Sequence, residues 1–390
     1  MHRVDLNSRT GTGLRPTRIV AITEIPTPYR LPLYRKLAER DDLDLEVLFC
    51  AADEPDRPWR LDEELAGVPH RILPGRALTF RRGGNTFVYE FNPGIWRALR
   101  KARPDAIVIG GYSVFAEQAA IAYARATRTP YLLHCESHLL KTRPGWLRAA
   151  KRSVLPLVIG GAAAGLATGT AAAAYLEHYG IPEERIRLFP NTIDVGDYRR
   201  RSNAVRADAA RIRAERGLPD RFWLFAGRLV EAKGIPELIS AIAELGADAP
   251  PVLVAGDGPL LAALRSVPGL VPVGFQQAEQ LLELFSLAEL TLVPSRVEPW
   301  GVVVNEALAC GSPVIASDAV GAAVDLIVDG TNGRIFTAGD SAALAAALRK
   351  PVPTGDPRAG RIATFGYEFA EEQFLEAIAI AIATTGKDRR

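Results

Sequence analysis

Glu298 and Glu306 stand on either side of a Pro299-Trp300-Gly301 turn, and the apolar run beyond that turn reads as a short buried helix from Val302 to Ala309. Gly311 stops the helix, and Pro313 to Ser317 reads as the strand that follows. A helix N-terminus presents unpaired N–H groups and partial positive charge, which seats a phosphate. Glu298 lies in the loop just ahead of that seat, and Glu306 lies about one turn inside it, at ~1.5 Å per residue. A carboxylate accepts well from paired hydroxyls. The arrangement therefore suits a ligand that carries both a phosphate and sugar hydroxyls, although two acids around a capped helix are also ordinary structure.

A second segment narrows the choice. Residues 223–238, WLFAGRLVEAKGIPEL, read as a strand ending at Gly227 and a helix opening near Gly234-Ile235-Pro236. Arg228 and Lys233 sit in the loop between, at the carboxyl end of the strand, where α/β sheets bind ligands. Two cations there can hold a diphosphate. An arginine is common in this chain, with forty of them, but there are only seven lysines, so a lysine in this loop carries information.

The elements that must position these residues follow a βα rhythm. RIVAIT (18–23) leads to a helix over 31–40 and then LDLEVLFC (43–50). A long polar connection with Pro55, Pro58 and Trp59 comes next, and RRGG (81–84) reads as another loop. Later pairs are DAIVIGG (105–111) with a helix over 114–127, YLLHCE (131–136) with one over 145–158, and GLATG (165–169) with one over 171–179. Strands with little alternation, separated by helices, predict parallel sheets covered on both faces. A hydrophilic, Arg-rich stretch over 197–218 reads as the crossing between two halves. The rhythm then resumes from Phe222 to about Leu348 and ends in a helix over 367–384. At 390 residues two domains are expected.

These segments together resemble the retaining nucleotide-sugar glycosyltransferases of GT-B fold, the family 4 type also described as glycosyl transferases group 1. FPNTID (189–194), AGRLVEAKG, VAGDGPL (254–260), VPVGF (271–275), VPSRVEPWGVVVNEALACGSPVIAS and DGTNGRIF (329–336) carry the likeness by their order and spacing. The resemblance implies two Rossmann-like α/β domains facing each other across a cleft. These are an acceptor-side domain over 17–195 after a tail at 1–16, and a donor-binding domain over 196–365. A C-terminal helix over 366–390 returns to the first. It implies that Arg228 and Lys233 grip the donor diphosphate, that Glu306 takes the ribose hydroxyls and that Glu298 contacts the transferred sugar. Pro299, Trp300, Gly301, Val302, Gly274 and Phe275 would line the same donor site.

On the first domain, relatives of this kind place a His about six residues after the proline that opens the strand at 131. Counting from Pro130, that position is Glu136 here, with His134 and His138 two residues to either side. Glu136 is the first choice for a group facing the reacting sugar. The first βα loop also departs, since many relatives carry Gly-Gly and this chain has IPTPYR (25–30). Arg30 then stands in for backbone contacts to phosphate or binds acceptor, and Gly110, Gly111 and Tyr112 form a loop lining the acceptor side.

Other features bound the reading. Cys50, Cys135 and Cys310 lack ligand spacing and suit free buried thiols in a reducing compartment, hence a cytoplasmic location. Residues 1–16 lack an apolar h-region and read as a tail, not a signal peptide. The Ala- and Gly-rich stretch over 154–176 parses as helix, strand and helix, not as a membrane span. Residues 1–195 carry 27 Lys and Arg against 21 Asp and Glu, while the remainder carries 20 against 24. Lys141, Arg143, Arg148, Lys151 and Arg152, around Trp146 and Leu147, make a basic patch. Such a patch suits solvent, an acidic acceptor, or peripheral contact with the inner face of a membrane. Aromatics are not interleaved for stacking on bases, so nucleic acid is not a partner. Asp42 and Asp44 match a D-x-D metal pattern but fall in a turn away from any phosphate loop, and no cluster has metal spacing. No cofactor or metal is expected.

The resemblance and these residues together imply a retaining hexosyltransferase that uses a UDP-sugar, with a GDP-sugar second. Its acceptor is a glycan, lipid or small molecule, and its products belong to glycan, glycolipid or glycoside synthesis. The alternatives are a nucleotide-sugar epimerase of the same fold and a catalytically silent sugar-nucleotide-binding subunit. A dinucleotide oxidoreductase is disfavoured because the first βα loop lacks G-x-G-x-x-G.

Overall fold

Apolar runs of β-branched residues that lie far apart in the sequence become neighbouring strands. In the computed structural model, which describes residues 15–53, 61–82, 85–138 and 155–387, the chain divides into two compact units. The first holds the described residues up to Asn191 together with those from Glu368, and the second is Thr192–Tyr367.

The first unit carries β1 (Thr17–Thr23), β2 (Leu43–Phe49), β3 (His70–Ile72), β6 (Ala106–Ile109), β7 (Tyr131–Cys135), β8 (Ala164–Ala167) and β9 (Ile186–Leu188). They form one parallel sheet in the order β3-β2-β1-β6-β7-β8-β9. Val20 lies opposite Ile107, and the order reverses between β1 and β6. Helices α1 (Leu31–Ala38) and α2 (Phe115–Thr127) follow β1 and β6. Two features depart from the sequence expectation. The connection after β2 contains β3, and Arg81 and Arg82 of the expected RRGG loop lie in β4 (Arg76–Arg82), which pairs antiparallel with β5 (Asn85–Phe91). The register runs from Arg76 opposite Phe91 to Arg82 opposite Asn85, and the arginines around the turn hide the strand pattern in the sequence.

The Arg-rich stretch is also a correction, for it is no open crossing. It folds into α3 (Val195–Ala207) and α4 (Ala209–Arg216), which belong to the second unit. Ser202 donates to the Cys310 carbonyl across 2.7 Å, and Arg206 donates to the carbonyls of Ser286 and Gly311. The second sheet contains β10 (Trp223–Ala226), β11 (Val252–Ala255), β12 (Leu270–Gly274), β13 (Leu290–Val293), β14 (Val314–Ser317) and β15 (Gly333–Phe336). Its order is β12-β11-β10-β13-β14-β15, so it reverses between β10 and β13. Helix α5 (Ile235–Leu245) follows β10, and α6 (Val302–Cys310) follows β13. Trp223, Phe225, Leu238, Ile242 and Leu292 pack in its core.

From Glu368 the last helix, α7 (Tyr367–Lys387), packs on the first unit. Lys36 pairs with Glu368, Arg40 with Glu371 and Arg187 with Glu376, and Phe374 meets Phe189 at a 5.3 Å ring separation. No helix among the described residues is long and apolar enough to cross a membrane. The basic patch over 141–152 lies outside the described residues, and so does the tail before residue 15.

Candidate active site

In the second unit the loops after β10 and β13 leave the sheet side by side, at the point where the strand order reverses. Open α/β sheets bind ligands in the crevice at that point. The two loops are fastened together. Arg296 N and Val297 N both donate to the Ala232 carbonyl, and the Arg296 side chain donates to Glu237, a carboxylate only 3% exposed, across 2.6 Å. Gly234 has φ +73°, and a Cβ there would stand 1.9 Å from the Pro294 carbonyl oxygen, so only glycine admits this approach. Fastening the loops brings Lys233 Nζ onto Glu298 Oε2 as a part-buried ion pair. Arg228 is exposed on the same loop as Lys233.

Helix α6 begins at Gly301, and no side chain caps it. Glu298 N donates to the Ala319 carbonyl, and Ala322 N donates to the Trp300 carbonyl, which lays the 298–301 loop against the next βα turn. The Trp300 side chain is 2% exposed. Its indole N–H donates to Asn305 Oδ1 at 3.1 Å and its ring stacks on Phe365 at 5.9 Å. That side chain is packing beneath the loop, which revises its expected place in the lining. Pro299, Gly301 and Val302 are half-buried, while Gly274 and Phe275, at the end of β12, are exposed.

Glu306 keeps some contact with solvent, yet enough protein surrounds its carboxyl that burial pushes its pKa up to about 7. Tyr198, on α3, donates its hydroxyl to Glu306 Oε1 at 3.1 Å and opposes that rise. Burial and the neighbouring Glu306 hold Tyr198 itself well above its ordinary value. Sequence reasoning passed over Tyr198, because a polar Arg-rich segment shows no buried face.

In the first unit, Arg30 ends the loop after β1 and is 6% exposed. Its guanidinium lies 4.2 Å from the Phe189 ring centroid and 3.2 Å from His134 Nε2, and Nη2 also donates to Asn191 Oδ1. Asn191 Nδ2 donates to Glu136 Oε1 at 2.8 Å. Burial first, and then the nearby guanidinium, hold the His134 pKa well below its ordinary value, so the ring is a neutral acceptor toward Arg30. Arg30, His134 and Glu136 are thus gathered at one edge of the sheet, while His138 is 8% exposed.

Gly111 and Tyr112 lie on the loop after β6, and the Tyr112 hydroxyl meets that of Tyr175 at 2.7 Å. Beneath this loop is Glu117, fully buried, whose Oε2 accepts from Ser113 N at 2.7 Å. Burial and the neighbouring Glu24 push its pKa up to about 8. Neither Asn191 nor Glu117 was singled out from the sequence, although Asn191 lies within FPNTID.

Asp42 and Asp44 are each engaged by an arginine, Asp42 by Arg40 at 2.8 Å and Asp44 by Arg18 at 2.6 Å. No group of three His, Cys, Asp or Glu placed to hold a metal occurs among the described residues.

Two family models match the two halves of the chain. Residues 208–359 match the model described as glycosyl transferases group 1, and residues 26–192 match a glycosyl transferase 4-like domain. The chain belongs to the group 1 glycosyltransferases. Among curated relatives, D-inositol 3-phosphate glycosyltransferase of Acidothermus cellulolyticus is 30% identical over 208 residues, 48% of this chain and 45% of that protein. Alpha-D-kanosaminyltransferase of Streptomyces kanamyceticus is 36% identical over 138 residues, 33% of this chain and 35% of that protein. The chain therefore spans less than half the length of these two relatives. Among solved structures, Anabaena HepE in complex with UDP and glucose superimposes with a TM-score of 0.70. It is 18% identical, and the match covers 93% of this chain and 99% of that one. At that identity the likeness shows the fold, which is the GT-B fold of this glycosyltransferase, with one Rossmann-like domain in each unit.

Proposed function

We propose that this glycosyltransferase moves a hexose-type sugar from a nucleoside diphosphate sugar to an acceptor hydroxyl, with retention at the anomeric carbon. The observation that carries the reading is the Lys233–Glu298 pair at the reversal point of the second sheet, just ahead of the uncapped N-terminus of α6. A donor diphosphate that takes the Lys233 ammonium, Arg228 and the helix N-terminus frees the Glu298 carboxylate for the sugar hydroxyls. Glu306, one turn into the helix, takes the ribose diol. UDP is the favoured nucleotide, with GDP second; the UDP held by the Anabaena protein supports that order.

In this mechanism the acceptor oxygen bonds to the anomeric carbon on the face the leaving group departs from. The bond from that carbon to the phosphate oxygen breaks, and the acceptor proton passes to that oxygen. Arg228, Lys233 and the helix dipole stabilise the charge growing on the diphosphate, which is work that preorganised cations do without a metal. Glu136 is the first unit's candidate for the sugar, and Gly111 and Tyr112 are its candidates for the acceptor; Arg30, 6% exposed, stands behind Asn191. The acceptor is a glycan, lipid or small molecule. A cytoplasmic location belongs to the same proposal and is supported by the three buried free cysteines.

The test is a panel of UDP-, GDP- and ADP-sugars scored by thermal stabilisation, followed by NMR of the product formed from the best donor. A ligand that binds the folded state raises the Tm. Stabilisation by a UDP-sugar and a product that keeps the donor's anomeric configuration are expected. No stabilisation by any of them would remove the donor reading, and an inverted product would remove retention alone.

A further inference from the structure

One side-chain amide joins the ends of three elements in the first unit. Asn191, which follows β9, is 4% exposed and lies between Arg30 from the β1 loop and Glu136 from the end of β7. Arginine can only donate and an ionised carboxylate can only accept, so the amide has one workable orientation, Oδ1 toward Arg30 and Nδ2 toward Glu136. Arg30 is itself fixed, with Phe189 under its guanidinium and His134 Nε2 beside it. His134 meets Phe189 edge-on at 5.6 Å, and Phe189 packs on Phe374.

Every member of this chain is buried or ring-packed up to Glu136, which is half-buried. One oxygen of Glu136, Oε1, is held by Asn191 at 2.8 Å, and Oε2 has no hydrogen-bond partner among the described residues. A glutamate held at one oxygen has given up rotamer freedom before any ligand arrives.

We propose that Asn191 is a positioning residue for sugar transfer: it turns Glu136 so that Oε2 accepts a hydrogen bond from a hydroxyl of the reacting sugar. This rests on the reading of Glu136 as the sugar-facing carboxylate of the first unit. Asn191 touches no substrate and acts through Glu136. Arg30 supplies the other half of the clamp, since without it the amide could rotate and offer Glu136 its oxygen.

The test compares N191S, N191D and E136Q with the wild-type chain in kcat, donor KM, Tm and the pH profile of kcat. N191S is too short to reach Glu136; it should lower kcat about tenfold or more, with Tm kept and donor KM changed little. N191D sets a second carboxylate at hydrogen-bond distance from Glu136. Two such groups share a proton, so the acidic limb of the profile should move up by about one pH unit or more. Wild-type kcat and an unmoved acidic limb in the folded variants would overturn the proposal. Asparagine variants that lose their melting transition would assign Asn191 to the fold and overturn it too. Full activity in E136Q would instead sink the role of Glu136 itself, a separate failure that the asparagine variants do not produce.

Discussion

The hydroxyl of Tyr198 donates to Oε1 of Glu306 across 3.1 Å, joining residues 108 positions apart, one on the helix that opens the second unit and one inside α6. Glu306 has its pKa pushed up to about 7 by burial, and the Tyr198 hydroxyl favours the charged form against it. The hydroxyls of a bound ribose would favour the charged form further. Donor binding should then release a proton near neutral pH and tighten as pH rises through about 7. Affinity at pH 8 should exceed that at pH 6 on the order of tenfold, from the ionised fraction alone. Y198F should move this window to higher pH. Calorimetric titration in two buffers of different ionisation enthalpy measures the proton directly, and a pH-independent Kd with no proton release would contradict the expectation.

The Lys233–Glu298 pair makes the next expectation. K233A and R228A should each lower kcat about a hundredfold or more, by removing charge that stabilises the leaving diphosphate. K233A also strands Glu298, whose side chain is 14% exposed. Steady-state kinetics on both variants checks this. Near-wild-type turnover in both would remove the diphosphate clamp.

Glu117 offers a test of stability. Its folded pKa, raised to about 8 from 4.5, means that the fold binds its proton more tightly than the unfolded chain does. That contribution is fully present below about pH 4.5 and is lost as pH rises toward 8. E117Q keeps an oxygen for Ser113 N and does not titrate. The Tm of E117Q relative to wild type should therefore climb between pH 5 and pH 8 in thermal melts. A difference that stays flat with pH would show that Glu117 is not buried as an acid.

The parts of this site that were legible in the sequence lie within a few residues of a strand end. Lys233 and Glu298 each lie in the loop that follows an apolar strand, and Gly234 marks the tight turn that brings one loop to the other. The parts that were not legible depend on packing between distant segments. Tyr198 reaches Glu306 only because α3 folds onto α6. Trp300, expected in the donor lining, is instead buried against Phe365. Asn191 gains its role from Arg30 and Glu136, which three strands of one parallel sheet carry to the same edge. The β4–β5 hairpin was hidden because arginines and paired glycines interrupt its aromatic pattern.

Turnover should persist in excess EDTA. Arg40 and Arg18 already engage the carboxylates of Asp42 and Asp44, so neither is poised to hold a cation with a donor diphosphate. D44N, an exposed substitution away from the site, should likewise keep kcat within about threefold, whereas Asp42 is 14% exposed in its pair with Arg40 and is structural. A complete loss of activity in EDTA that added Mg2+ or Mn2+ restores would refute this.

The central claim is that the second unit binds a nucleotide sugar through Lys233, Glu298 and Glu306, and calorimetric titration of UDP-glucose and GDP-mannose into wild type and E306Q at pH 8 tests it most directly. At that pH the wild-type carboxylate is mostly ionised, and the amide keeps its volume while losing the charge that holds the ribose. The account predicts that wild type binds one of the two, and that E306Q binds it about tenfold or more weakly with an unchanged melting transition. Binding of equal strength in both proteins, or none in wild type, would contradict it.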